Sequence, residues 1–194
     1  MNYEKIRHIT ENVRETLSAN PKRFMHSIAV ADMAMCLAAR YGADLEKAYL
    51  AGILHDNAKY IPNEDQVRLC LKYGLAVSDI EKKNPYLLHA KLGAYFAYHK
   101  FDIYDEEIAG AIEWHTTGRP AMNDLEKIIY ISDYLEPNRH HADNLDKLRK
   151  LAFVDLNKTT ASIIADTINM LESKHRPVDE TTFKAFEFYK NVLE

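Results

Sequence analysis

Cysteine is nearly absent from this sequence. Of 194 residues only Cys36 and Cys70 carry a thiol, which excludes a disulfide framework and a cysteine-based metal site. Glycine and proline are scarce too, six of each, and alternating runs of β-branched residues are missing, so the signature of a β-sandwich or barrel is not there. No apolar run approaches the ~20 residues that span a bilayer. The opening segment MNYEKIRHITENVRETLSAN is too charged for a secretory signal, so a cytoplasmic, reducing setting with no membrane partner is expected. Basic excess is also lacking: 25 Lys and Arg stand against 29 Asp and Glu, a net charge of −4. Without clustered positive charge, a broad nucleic-acid footprint is excluded. What remains, 47% hydrophobic and 28% charged residues, is the make-up of an ordinary globular domain.

Helix signals recur in place of strand signals. Asn20 followed by Pro21 reads as an N-cap with proline at the first helical position. Phe24, Ile28, Ala31, Met35 and Ala38 then keep one apolar face until Gly42. Further helices are predicted from Asp44 through Leu54, from Asp105 to Trp114 and from Asp179 onward, and Leu156, Ile163, Ile164, Ile168 and Leu171 outline a long late one. Asn63-x-x-Gln66, Ser78-x-x-Glu81 and Asn123-x-x-Glu126 read as capping boxes. With short connections, no repeat and no linker, one all-α domain is expected over residues 1–194, its motif-bearing core at about 20–140 and C-terminal helices over 141–194.

Nine histidines are many for this length. His55-Asp56 closes the apolar stretch AYLAGIL, His26 lies beside Phe24 and Ile28, His89 follows Tyr86-Leu87-Leu88, and His115 follows Ile112 and Trp114. Asp133 lies within IIYISDYLEP, where a lone carboxylate is costly to bury. Singly, each reads as well as a hydrogen-bonded core group. Together, four imidazoles and two carboxylates without a thiolate exceed one closed tetrahedral zinc and suit two divalent cations with positions left open. Adjacent helical residues diverge by ~100°, so His55 and Asp56 do not clasp one ion as a fork, but the two oxygens of Asp56 can bridge two. Such a pair activates water and clamps a phosphoryl oxygen, which points to phosphate ester or anhydride hydrolysis. His8, His99, His140, His141 and His175 have polar settings and read as ordinary surface residues.

The order His26, His55-Asp56, His89, His115, Asp133 resembles that of the HD-domain metal phosphohydrolases. The strings RFMHSIAVADMAMCLA, AGILHDNAK, HAKLGA, AIEWHTTGRPAM and IIYISDYLEPNR are similar to those of the YqeK-type branch, over about residues 20 to 140. The resemblance implies an HD-domain helical bundle, a two-iron centre (manganese, zinc or nickel also fitting His and Asp) and symmetrical hydrolysis of diadenosine tetraphosphate into two ADP. It places His26, His55, Asp56 and Asp133 around one metal, with Asp56 bridging to a second held by His89 and His115. Asn57 and Ser132 fall at places that vary or are often small and apolar, and neither removes a ligand.

On the same resemblance, Asp56 and Lys59 are the expected catalytic residues. Nucleotide contacts are expected from His26, Asp56, Asn57, Ala58, Lys59, His89, His115, Thr116, Thr117, Gly118, Arg119 and Arg139. Lys59, three residues after Asp56, falls one helical turn on, where its ammonium would offset phosphate charge. Thr116-Thr117-Gly118-Arg119 offers hydroxyls, flexible backbone and a guanidinium fork to phosphate oxygens, or else only punctuates a helix end. Glu136 either orients Arg139 or supports a histidine; Arg23 is either a phosphate contact or a surface ion pair; Tyr86 and Tyr134 are candidates for stacking on adenine. The expected partners are a dinucleoside polyphosphate, its ADP product and a second copy of the chain in a homodimer. Another HD-type nucleotidase or phosphodiesterase, an oxygen-activating di-iron protein, or a non-catalytic HD regulatory module are the competing readings.

Overall fold

The computed structural model describes residues 1–140 and 142–193; the surface reading of His141 lies outside the described residues. Among these, the chain forms eleven α-helices and no strand. They are α1 (Tyr3–Thr16), α2 (Pro21–Tyr41), α3 (Leu45–Leu54), α4 (Asn63–Lys72), α5 (Asp79–Lys83), α6 (His89–His99), α7 (Glu106–Trp114), α8 (Asp124–Leu135), α9 (Leu145–Ala152), α10 (Leu156–Ser173) and α11 (Glu180–Tyr189). No helix among the described residues is long and apolar enough to cross a membrane.

The local chemistry of the chain sets most of these boundaries. Asn20 caps α2 by accepting from the Arg23 amide at 3.2 Å, and Gly42 at φ 72° ends it in the left-handed region that favours glycine. Asp44, Asp105 and Asp179 accept from the first-turn amides of α3, α7 and α11. The capping boxes of Ser78 with Glu81 and Asn123 with Glu126 both close. The one predicted at Asn63 does not form. Pro62 holds an extended backbone and takes the cap position, Asn63 becomes the first helical residue, and the Gln66 amide donates back to the Ile61 carbonyl at 3.0 Å.

The centre of the molecule is α2 against α3, with α7 and α8 packed beside them. Small residues allow the approach: a Cβ on Gly52 of α3 would fall 2.7 Å from the Ala31 Cα of α2. Leu37, Leu50, Ile53, Leu54, Ile112, Ile128, Ile129 and Ile131 fill the core, which runs without a break from Ile6 to Tyr189. Ala58, Ile61, Cys70, Leu88 and Leu92 form a smaller core under the segment that follows α3. Helix α10 packs on α8 and α11 on α10, and Thr182 at the start of α11 donates to the Thr117 carbonyl at 3.0 Å. The late helices thereby hold the loop after α7.

Candidate metal centre

Five helices deliver the six ligand-type residues to one place. His26 comes from the first turns of α2, His55 and Asp56 from the end of α3, His89 from the start of α6, His115 from the end of α7 and Asp133 from the last turn of α8. Three of the imidazoles are oriented by the chain that carries them. The Nδ1–H of His55 donates to the Gly52 carbonyl at 2.7 Å, that of His89 to Tyr86 at 2.5 Å and that of His115 to Ile112 at 2.7 Å, each three residues back. The fourth, His26, has its Nδ1 3.2 Å from Oε1 of the buried Glu136. Fixing Nδ1 in this way leaves Nε2 as the coordinating atom and turns it inward, the arrangement found at metal-binding histidines.

The inward atoms form two sets joined by one residue. In the first, Asp133 Oδ1 lies 2.9 Å from His26 Nε2 and 3.7 Å from His55 Nε2, and the two imidazoles are 3.3 Å apart at Nε2. Asp56 Oδ2 stands 3.5 Å from His55 Nε2 and 4.0 Å from His26 Nε2. In the second, Asp56 Oδ1 lies 3.2 Å from His89 Nε2 and 3.7 Å from His115 Nε2, and these two imidazoles are 3.1 Å apart. Ligands bound at about 2.1 Å and near right angles sit about 3 Å from one another. The donors therefore fit two divalent cations, and the two oxygens of Asp56 face different sets.

Burial and charge set the protonation of this cluster. Burial alone would raise Asp56 and Asp133, yet His55 and His89 beside the one, and His26 and His55 beside the other, hold both carboxyls below the ordinary range. Burial works against a charged His55, but Asp56 and Asp133 outweigh it and raise that imidazole. His89 is lowered by burial, and His115 is pushed down to about 3 by burial and by the neighbouring His55 and His89. Neutral imidazoles and ionised carboxylates are the forms that bind cations.

Three basic side chains surround the cluster. Arg23 Nη1 donates to Asp56 Oδ2 at 2.6 Å, so it makes a partly buried ion pair with a ligand-type carboxylate rather than a surface one. Arg139 Nη2 donates to Asp133 Oδ1 at 2.9 Å. Lys59 places Nζ over the His89 ring, 3.1 Å from Nε2 and 3.2 Å from Nδ1, and burial lowers its pKa. Thr116 Oγ1 lies 3.1 Å from His115 Nε2.

Other predicted contacts are placed elsewhere. Arg119 is closed on the buried carboxylate of Glu126, at 2.8 Å from Oε2 and 2.9 Å from Oε1, so its fork is not directed at the six donors. Asn57 is buried and donates to the carbonyls of Leu54 and Gly93 at 2.7 and 3.0 Å, tying the end of α3 to α6. Ala58 packs into the smaller core. Gly118 adopts φ 64° after α7, giving the turn its left-handed step.

Beside Thr116 and Thr117 opens a cavity of ≈160 Å³, walled by Ile80, Leu87, Trp114, Glu113 and Thr181 among others. Neither Tyr86 nor Tyr134 is among the residues that line it. The residues from α11 were missed at the level of sequence, because 65 positions separate Thr182 from the Thr117 it holds and no local spacing reports such a contact.

Known proteins resemble this chain along most of its length. Residues 23–138 match the HD domain family. The chain is 40% identical to the symmetrical bis(5'-nucleosyl)-tetraphosphatase of Bacillus subtilis, over 86% of this chain and 88% of that one. It is 35% identical to the protein of the same name from Staphylococcus aureus, over 97% of this chain and 95% of that one. A crystal structure from Clostridium acetobutylicum, described as a predicted HD superfamily hydrolase involved in NAD metabolism, superposes with a TM-score of 0.90 at 40% identity, covering 99% of this chain and 98% of that one.

Proposed function

The chain belongs to the HD-domain family, and from that premise we propose that it hydrolyses diadenosine tetraphosphate symmetrically into two ADP at a centre of two divalent cations. The names of the relatives that align along most of its length support the substrate and the cut. The observation that carries the reading is Asp56, whose Oδ1 and Oδ2 face separate pairs of imidazoles. Divalent cations held there supply Lewis acidity, which lowers the pKa of water and draws charge from a phosphoryl group.

The rest is done by the chain. His26, His55 and Asp133 would hold one cation and His89 and His115 the other, with Asp56 shared between them. Lys59 stands over His89, where its ammonium meets negative charge that grows on the phosphoryl oxygens. Arg139 and Arg23, already turned to the two carboxylates, bind the polyphosphate, and Thr116 and Thr117 lead to the cavity that takes one adenosine. Arg119 acts through Glu126, which it fixes as the start of α8. Asn57, Ala58 and Gly118 serve by backbone placement. With an ADP half seated in the cavity, attack at its second phosphorus expels the other half as ADP.

Iron is the cation we favour; imidazole and carboxylate also accept manganese, zinc or nickel. A homodimer and a cytoplasmic setting complete the reading, the latter in keeping with two free cysteines. Chromatography of an early time point tests the cut: metal-loaded protein given diadenosine tetraphosphate yields ADP alone. AMP plus ATP as the initial products overturns the symmetric assignment.

A further inference from the structure

The cavity beside Thr116 is lined by residues of differing chemistry. Thr116 directly follows His115 and borders the cation site. Glu113 is two residues before His115 on α7, about 200° round the helix, so its side chain leaves α7 on the side opposite the His115 imidazole, and it lines the same cavity as Thr116. Ile80, Leu87 and Trp114 line the same cavity and offer apolar and aromatic surface to the faces of a flat ring.

The other charged groups of the lining are committed: Asp179 caps α11, Glu180 pairs with Lys184, and Lys91 pairs with Glu81. Lys91 Nζ donates to the Ala76 carbonyl at 3.0 Å and to Glu81 Oε2 and Oε1 at 2.9 and 2.8 Å. Glu81 Oε2 also accepts from the Ser78 amide at 2.8 Å. Glu113 makes no hydrogen bond or ion pair among the described residues, although it is partly buried. A carboxylate removed from water without donors is costly, and a ligand that brings a donor relieves the cost.

We propose that Glu113 determines base specificity, its carboxylate accepting a hydrogen bond from the exocyclic amine of adenine. A base with a carbonyl in that place would set oxygen against oxygen. The inference rests on the reading that one adenosine of the substrate occupies this cavity. It adds to that reading the group that recognises the base.

The test uses equilibrium binding to the full chain and does not depend on turnover. ADP is compared with purine riboside 5′-diphosphate, which lacks only the amine. The wild type binds ADP tenfold or more tightly than the analogue, as expected of a site built around a hydrogen bond. In Glu113→Ala the two affinities fall within about twofold of each other. Glu113→Gln keeps an uncharged acceptor and gives an intermediate ratio. A wild-type ratio near one, or an undiminished ratio in Glu113→Ala, overturns the inference. If diadenosine tetraphosphate is cleaved to ADP while the ratio ignores Glu113, the inference fails and the activity stands. If the ratio behaves as expected but no cleavage occurs, the activity fails and the inference stands; a wild type that binds neither ligand overturns both.

Discussion

Lys59 shows how the surroundings of a single side chain suggest its task. Its position three residues after Asp56 was legible in the sequence, but its seat over the His89 ring was not, because that depends on how α6 enters. The proposed role, a charge that acts on the phosphoryl group and not on the cations, leads to a specific outcome. Lys59→Ala keeps both metals and loses turnover by tens-fold or more, about 2 kcal/mol of transition-state stabilisation. Loss of metal in elemental analysis of the variant contradicts the role. Protonation gives a second outcome at this scale. His89 and His115 are held below their unfolded value, His115 at about 3, so the unfolded chain binds protons on them that the folded chain refuses. Their contribution to metal-free stability is whole above pH ~6.5 and is lost as pH falls toward the folded values. His55, raised by its carboxylates, has the opposite sign: its contribution is whole below pH ~6.5 and is lost as pH rises through its folded value. Chelated His115→Gln therefore shows a smaller fall in Tm from pH 7 to pH 5 than the wild type. An equal fall in thermal melts contradicts the assignment.

Helices carry these side chains to the site, and their ends matter more than their middles. Caps and apolar spacings made α2, α3, α7 and α10 readable in advance, since each signal is a local interaction between residues a few positions apart. The failed capping box at Asn63 shows the limit: Pro62, one position earlier, fixed the entry of the chain and overrode the pattern. Gly52 joins packing to chemistry, because it admits Ala31 of α2 and its carbonyl accepts from His55 Nδ1. A methyl group there would meet backbone, which cannot rotate away. Gly52→Ala costs about 1–3 kcal/mol through overpacking and weakens metal binding by shifting His55. A variant with wild-type Tm and wild-type metal content contradicts the close approach.

At the scale of the molecule, the six ligand-type residues were legible and the cavity beside Thr116 was not. His26, His55, Asp56, His89, His115 and Asp133 each stand in apolar helical sequence, a costly setting that marks them even before they are seen together. Glu113, Trp114 and Thr181 stand out by no such sign; they become a wall only when α11 closes over the loop that follows α7. The pairing of Arg119 with Glu126 and of Arg23 with Asp56 likewise belongs to the assembled bundle. What the bundle builds is a pair of donor sets that share one carboxylate. Elemental analysis of the protein saturated with metal and freed of excess tests this directly, with the wild type set beside Asp56→Ala. Two ions per chain in the wild type and one or fewer in the variant are predicted; a wild type that saturates at a single ion contradicts the account.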